Sequence, residues 1–181
     1  MLWTAATLSD FTDDEYRTAY AALSPSRRAR INRITHPHRR QQALAGECLA
    51  KRLIAQFASV EQPVIHTTEA GKPFVEIDGV HFSIAHSGDI VVCAVDSRPI
   101  GIDIERVKTV DNKLIKRVCT PEEIAFVGED ATAFCEVWTA KEAFVKMIGK
   151  SVPRFNEISV LPLHRQVFHH GEYIVQIVTT E

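Results

Sequence analysis

Three carboxylates in the second half of this sequence have the types and spacing to hold a hard cation: Asp103, Glu105 and Glu142, with Lys146 one helical turn beyond the last. Asp103 and Glu105 lie in Gly101-Ile102-Asp103-Ile104-Glu105-Arg106, where polar and branched apolar residues alternate. That alternation predicts a strand with both acids on one face and Ile102 and Ile104 on the other. Two carboxylates roughly 6–7 Å apart at Cα repel unless something cationic sits between them. Glu142 and Lys146 lie in Trp138-Thr139-Ala140-Lys141-Glu142-Ala143-Phe144-Val145-Lys146. There Phe134, Val137, Trp138, Lys141, Phe144, Val145 and Ile148 recur at three- and four-residue spacing, which predicts a helix with one largely apolar stripe. Glu142 and Lys146, four apart, are neighbours on its surface. Acids fixed on a strand and on a helix suit Mg²⁺, which takes oxygen ligands octahedrally and completes its shell with waters and substrate phosphates. Taken singly, the runs also fit a solvated strand face and a helix-supporting Glu–Lys pair.

The elements that must position these groups follow from patterning along the chain. Leu2-Trp3-Thr4-Ala5 begins a first strand, and Ser9 or Asp10 is expected to cap a short helix holding Tyr16, Tyr20 and Leu23. Pro25 opens a second helix, and after Pro37 a longer one runs to about Phe57. Gly46 sits inside it at some cost in stability, which points to close packing against a neighbour or a ligand. Val64–Thr68 reads as a strand and Glu69–Pro73 as a turn. Phe74–Ile77 and Val80–Ile84 around Asp78-Gly79 read as a hairpin. Val91–Val95 and Ile100–Ile104 are strands joined by Asp96-Ser97-Arg98-Pro99. Leu114–Val118 starts a helix, and Thr120-Pro121-Glu122-Glu123 is a helix N-terminus with cap, proline and acids in order. Pro153 is expected to end the helix region that carries Glu142. Ile158–Leu161, Gln166–Phe168 and Tyr173–Val178 read as strands, with a turn at His170-Gly171.

Length and composition bound the function. With 181 residues, 45% of them apolar, the chain is one compact unit or two small ones with a buried core. A net charge of −2 gives no global field toward nucleic acid or membrane. Arg27, Arg28, Arg30, Arg33, Arg39, Arg40, Lys51 and Arg52 nonetheless crowd one segment, a local patch better matched to a small polyanion than to a duplex. Cys48, Cys93, Cys119 and Cys135 have no Cys-x-x-Cys spacing and read as buried thiols of a reducing compartment. There is no signal-peptide pattern and no run of membrane length, so a cytoplasmic protein is expected.

Together with His86 and with Gly71-Lys72-Pro73, the two acidic runs resemble the broad-specificity 4′-phosphopantetheinyl transferases, of the holo-acyl-carrier-protein synthase type. That family's pattern is a Gly-x-Asp-x-Glu strand followed some tens of residues later by a Trp-x-x-Lys-Glu-x-x-x-Lys helix, and both stand here in that order. The resemblance covers about residues 23 to 155. It implies an α+β fold, a pseudo-dimer of two similar halves with the active site in the cleft between them. The N-terminal half, 1–98, would carry the coenzyme A nucleotide contacts, and the C-terminal half, 99–181, the metal site and catalytic helix. The implied reaction moves the 4′-phosphopantetheine arm of coenzyme A, with Mg²⁺ or Mn²⁺, to a serine of an apo acyl or peptidyl carrier protein. The products are holo carrier protein and 3′,5′-ADP.

On the same resemblance Asp103, Glu105 and Glu142 are the metal ligands, Glu142 is also the general base, and Lys146 contacts the pyrophosphate. His86, in Ala85-His86-Ser87-Gly88, matches a Ser-His-Ser-Gly turn whose histidine touches coenzyme A phosphate, and Lys72 matches a lysine near the nucleotide. Two positions depart from the pattern. Ala85 replaces a serine, and Gln42 replaces an arginine, four residues before the glycine matching Gly46, that contacts the 3′-phosphate. Arg39 or Arg40 is expected to take over that contact, Arg40 being nearer the matched position. One chain with both halves has less need of a partner and is expected to be a monomer. The alternative is a non-catalytic coenzyme A or carrier-binding module that kept the fold, favoured by Ala85 and Gln42 and opposed by the intact acids.

Overall fold

The β-branched runs form the centres of two antiparallel sheets, each covered by one long helix. The structure, a computed structural model, describes residues 1–150 and 154–180. The chain divides into two units, Met1–Pro99 and Ile100–Glu181. In the first, β1 (Leu2–Thr7), β4 (His81–Ser87) and β5 (Ile90–Asp96) form a sheet in the order β1-β5-β4. In the second, β6 (Ile100–Arg106), β7 (Arg165–His170) and β8 (Tyr173–Thr179) form a sheet in the order β6-β8-β7. Each unit's first strand therefore pairs with its last, and the last turns back on its predecessor. The two halves share one α+β topology.

The helices start where the caps dictate. Thr12, not Ser9 or Asp10, caps α1 (Asp13–Ala21), because Glu15 three residues on completes a reciprocal capping box with it. Asp10 instead accepts from Thr7 N–H at 2.7 Å and closes a short 3₁₀ turn. Ser24 caps α2 (Pro25–Asn32), and Pro37 opens α3 (Pro37–Ala58). α3 buries Leu49, Ala50, Leu53 and Ile54 against Val91, Cys93 and Val95. The leucine, isoleucine and valine side chains among these each contribute about 1.5–3 kcal/mol on full burial. At Gly46 a Cβ would lie 2.8 Å from Ile84 Cγ2, so the neighbour that requires glycine is a strand side chain.

Two strand expectations change. β3 (Pro73–Val75) pairs with β2 (Ile65–Thr67), not with the strand after Asp78-Gly79. The Glu69–Lys72 turn, with Gly71 at φ +90, closes that hairpin first, and Gly79, at φ +67, merely redirects the chain. Ile158–Leu161 is not a strand: it follows a 3₁₀ turn (Phe155–Glu157) and continues as turns. Val160 serves a core instead, buried in the cluster with Ile115, Val127 and Val137.

In the second unit, α4 (Asn112–Val118) and α5 (Pro121–Val127) precede α6 (Ala131–Ile148). α6 packs chiefly on β6 and β8. It stops at Gly149, whose φ of +66 suits a glycine C-cap. Pro153, expected to end this region, lies outside the described residues. Among the described residues no helix is long and apolar enough to cross a membrane, and all four cysteines are free and buried.

Candidate active site

Gly101 determines how closely the two acidic runs approach. A Cβ at this position would fall 1.8 Å from the Ala143 carbonyl oxygen and 2.7 Å from Met147 N. Only a residue without a side chain lets β6 cross α6 in backbone contact there. Two residues on, the strand places Asp103, and in the next turns of helix α6 places Glu142 and Lys146. The register makes Asp103 face Gln176 and Glu105 face Ile174 across the β6–β8 ladder.

Asp103 is 5% exposed. Its Oδ1 accepts from Lys146 Nζ at 2.6 Å, while Oδ2 is buried without a partner. Burial is the largest influence and pushes the Asp103 carboxyl up to about 6. Lys146 pulls it down, and the charges of Glu105 and Glu142 add to the rise. Glu142 is half-buried, and burial again leads in raising its pKa, with Lys146 opposing and Glu105 assisting. The three carboxylates thus sense one another, with one ammonium among them. Lys146 bonds to Asp103 across the elements, so the Glu142–Lys146 spacing is more than ordinary helix support.

Among the described residues no three His, Cys, Asp or Glu side chains stand close enough to hold a metal ion. Like charges at this site separate when only an ammonium lies between them. The donor set nonetheless fits a hard divalent cation: it is all carboxylate oxygen, and one buried oxygen lacks any hydrogen-bond donor. Beside Glu105 opens a cavity of about 220 Å³, floored by Val110, Leu114, Phe134, Cys135 and Trp138 with Arg106 and Lys108 at its edge. Trp138 is held by Phe134 and by an edge contact with Phe155, centroids 5.7 Å apart. The apolar stripe of α6 therefore lines a cavity at one end of its length as well as a core. Burial pushes the Cys135 thiol up to about 12, so it is an inert wall.

In the first unit His86 is exposed near the end of β4, and the following Gly88-Asp89 turn is tied to α3. Gln42 Nε2 donates to the Gly88 carbonyl at 2.7 Å, and His38 Nε2 lies 2.8 Å from Asp89 Oδ1. Gln42 is 5% exposed, so the residue that replaces the expected arginine is a buried brace. At about 100° per residue, Arg40 stands roughly opposite the face that His38 and Gln42 present to this turn. It is exposed. Ala85 is buried and lies on the other face of β4 from His86. Lys72 is half-buried, which lowers its pKa. Its turn is packed by Arg30, whose Nη1 would lie 2.6 Å from a Cβ at Gly71. Arg30 was invisible as a candidate among so many arginines; only the Gly71 contact separates it from them.

Comparison with known proteins matches both halves. A model described as "4′-phosphopantetheinyl transferase, N-terminal" matches residues 10–98, and one described as "4′-phosphopantetheinyl transferase superfamily" matches residues 99–176. The chain is 36% identical over 118 residues to the 4′-phosphopantetheinyl transferase gsp of Aneurinibacillus migulanus, covering 61% of this chain and 49% of that one. It is 32% identical over 149 residues to 4′-phosphopantetheinyl transferase Sfp of Bacillus subtilis (strain 168), covering 78% and 66%. To 4′-phosphopantetheinyl transferase psf-1 of Bacillus pumilus it is 34% identical over 160 residues, covering 82% and 69%. The chain spans about half to two thirds of the length of the curated relatives it matches.

Proposed function

Since the chain belongs to the 4′-phosphopantetheinyl transferase superfamily, we propose that it transfers the 4′-phosphopantetheine arm of coenzyme A to a serine of an apo carrier protein. The observation that carries this reading is Asp103: a buried carboxylate with one orphaned oxygen, an ammonium on the other, and two further carboxylates raising its pKa. Asp103, Glu105 and Glu142 would hold Mg²⁺ or Mn²⁺. Bound there, the ion would polarise the phosphorus of the coenzyme A pyrophosphate and neutralise charge on the leaving group.

The chain's own residues account for the rest. The carrier serine oxygen bonds to the β-phosphorus, the bridging P–O bond breaks, and 3′,5′-ADP leaves with that electron pair. Glu142, whose carboxyl is held above its ordinary pKa chiefly by burial, takes the serine proton. Lys146, already delivered to the carboxylates by α6, places its ammonium beside the phosphate oxygens. Phosphoryl transfer of this kind depends on positioning and charge stabilisation more than on covalent chemistry. The apolar cavity that begins at Glu105 suits an uncharged arm leading away from the pyrophosphate. In the first unit His86 and Lys72 contact the nucleotide phosphates. Arg40 is the expected 3′-phosphate contact, and Arg30, packed on the Lys72 turn, offers a second arginine fork matched to a phosphate.

The test is to incubate the protein with an apo carrier protein, coenzyme A and Mg²⁺ and to weigh the carrier. A gain of one phosphopantetheine is expected, lost in Asp103→Ala and Glu142→Ala while circular dichroism stays native. Substantial turnover in either variant would refute the metal and base assignment. No gain with acyl and peptidyl carriers alike would favour a binding module.

A further inference from the structure

α6 carries a second lysine, this one buried, in the middle of the apolar stripe. Lys141 is 1% exposed and Glu123 0%. Their charged atoms lie 2.7 Å apart. Lys141 Nζ also donates to the carbonyls of Phe155, at 2.8 Å, and Ile158. Glu123 is equally committed. Its Oε2 accepts from Thr120 N–H at 2.8 Å and its Oε1 from Val160 N–H at 2.8 Å. Three N–H donors and two carboxylate oxygens are thus all engaged. The network joins the start of α5, the middle of α6 and the stretch from Phe155 to Val160.

A buried pair of this kind is poor evidence for stability, because apolar residues of the same volume often serve as well or better. What it supplies is direction: a lysine satisfied by one carboxylate and two carbonyls accepts one setting of its helix. Glu142 is the next residue, about 100° further around α6. A rotation of about 10° moves a carboxylate about 6 Å from the helix axis by about 1 Å, several times the tolerance of a metal–oxygen bond. Gly101 fixes how near α6 comes to β6 but presents no side chain to stop the helix turning.

We propose that Lys141 is a positioning residue: its ammonium, locked to Glu123 and to the Phe155 and Ile158 carbonyls, sets the rotation of α6 that turns Glu142 toward Asp103 and Glu105. The inference rests on the metal assignment above for its consequence, though not for the rotation itself. Lys141→Met/Glu123→Gln removes both charges and leaves one amide oxygen to accept from either Thr120 or Val160 N–H. We expect it to unfold in one cooperative transition, and its metal-free crystal structure to show α6 turned with Glu142 moved away from Asp103. Mn²⁺ affinity, read by electron paramagnetic resonance without coenzyme A, should fall about 10-fold or more. A folded variant whose α6 keeps its setting, or one whose Mn²⁺ affinity is unchanged although α6 has turned, overturns the proposal. If the native protein itself binds no Mn²⁺ at these acids, the metal assignment fails and the setting of α6 alone decides on Lys141. Should the double variant not fold, Lys141→Arg, which keeps the charge and changes its reach, is judged by the same readouts.

Discussion

Replacing Asp103 by asparagine should stabilise the metal-free protein, by an amount that builds between about pH 4 and pH 6 and is full above that. Folding raises the Asp103 pKa from 3.8 to about 6, with burial as the main cause. The native state therefore holds a proton that the unfolded chain gives up between these values. A group shifted upward contributes its full stability below the unfolded pKa and loses it as pH rises through the folded one. At about 1.4 kcal/mol per unit, a shift of this size costs the native protein about 3 kcal/mol once Asp103 is ionised. Asparagine has nothing to ionise and escapes that cost at every pH. The advantage of Asp103→Asn over the native protein should thus be small near pH 4, grow through pH 5, and level off above pH 6.5. For a chain of this size about 3 kcal/mol corresponds to roughly 6–12 °C in Tm.

Thermal or urea unfolding of both proteins in a chelator, at half-unit steps from pH 4 to 8, measures this difference directly. Other titrating groups cancel to first order because both proteins carry them. A difference that is flat with pH, or a native protein more stable than the variant at pH 7.5, would refute the claim that Asp103 is held ionised at a cost. The same plates with Mg²⁺ added extend the test. Metal needs the deprotonated carboxylate, so Mg²⁺ should raise the native Tm more at pH 7.5 than at pH 5, and should do little for Asp103→Asn.

Gly101→Ala should be severely destabilising, beyond the usual 1–3 kcal/mol of overpacking, because the new Cβ meets a backbone carbonyl that cannot rotate aside; a drop in Tm or loss of soluble protein reads it out. Gly79→Ala, with nothing within 4 Å, is the control and should cost only about 1 kcal/mol for its positive φ. Lys146→Met removes what lowers the Asp103 pKa, so the carboxyl should titrate above 6 by carbon-detected NMR. The thiols of Cys119 and Cys135, pushed up to about 11 and about 12, should resist iodoacetamide at pH 8 in the native protein and react on unfolding, as mass spectrometry would show.

Residue types and period sufficed for the parts of this fold governed by local rules. The cap at Thr120, the proline starts at Pro25 and Pro37, and the alternation in β6 all follow from neighbours within a few residues. Reading failed where one local signal competes with another. Asp78-Gly79 is as good a hairpin turn as Glu69–Lys72, and nothing local says that β3 pairs backward with β2. Ile158–Leu161 has strand composition but commits Val160 to a helix-lined core. In the site, the acids and Lys146 were legible because strand and helix periods put them on defined faces. The function of Gln42 was not, since a side chain bonded to a carbonyl 46 residues away leaves no trace in sequence spacing.

The two lysines of α6 show why one ion pair belongs to chemistry and the other to architecture. Both ammonium groups meet a buried carboxylate, at 2.6 Å for Lys146 and 2.7 Å for Lys141. Around Lys141 every donor and both Glu123 oxygens are engaged, so exchanging any member strands a buried polar group. Around Lys146 the accounts are open: Asp103 keeps an orphaned oxygen, two further carboxylates press on it, and the lysine side chain is 31% exposed. A closed network resists a new ligand because the ligand must break bonds that it cannot replace. An open one gains from a divalent cation, which supplies the oxygen with a partner and offsets three negative charges where one ammonium offsets part of them. Glu47 also buries an orphaned oxygen beside its Arg27 partner, so it is incomplete satisfaction together with the pressure of two neighbouring carboxylates that marks Asp103 as the residue prepared for exchange.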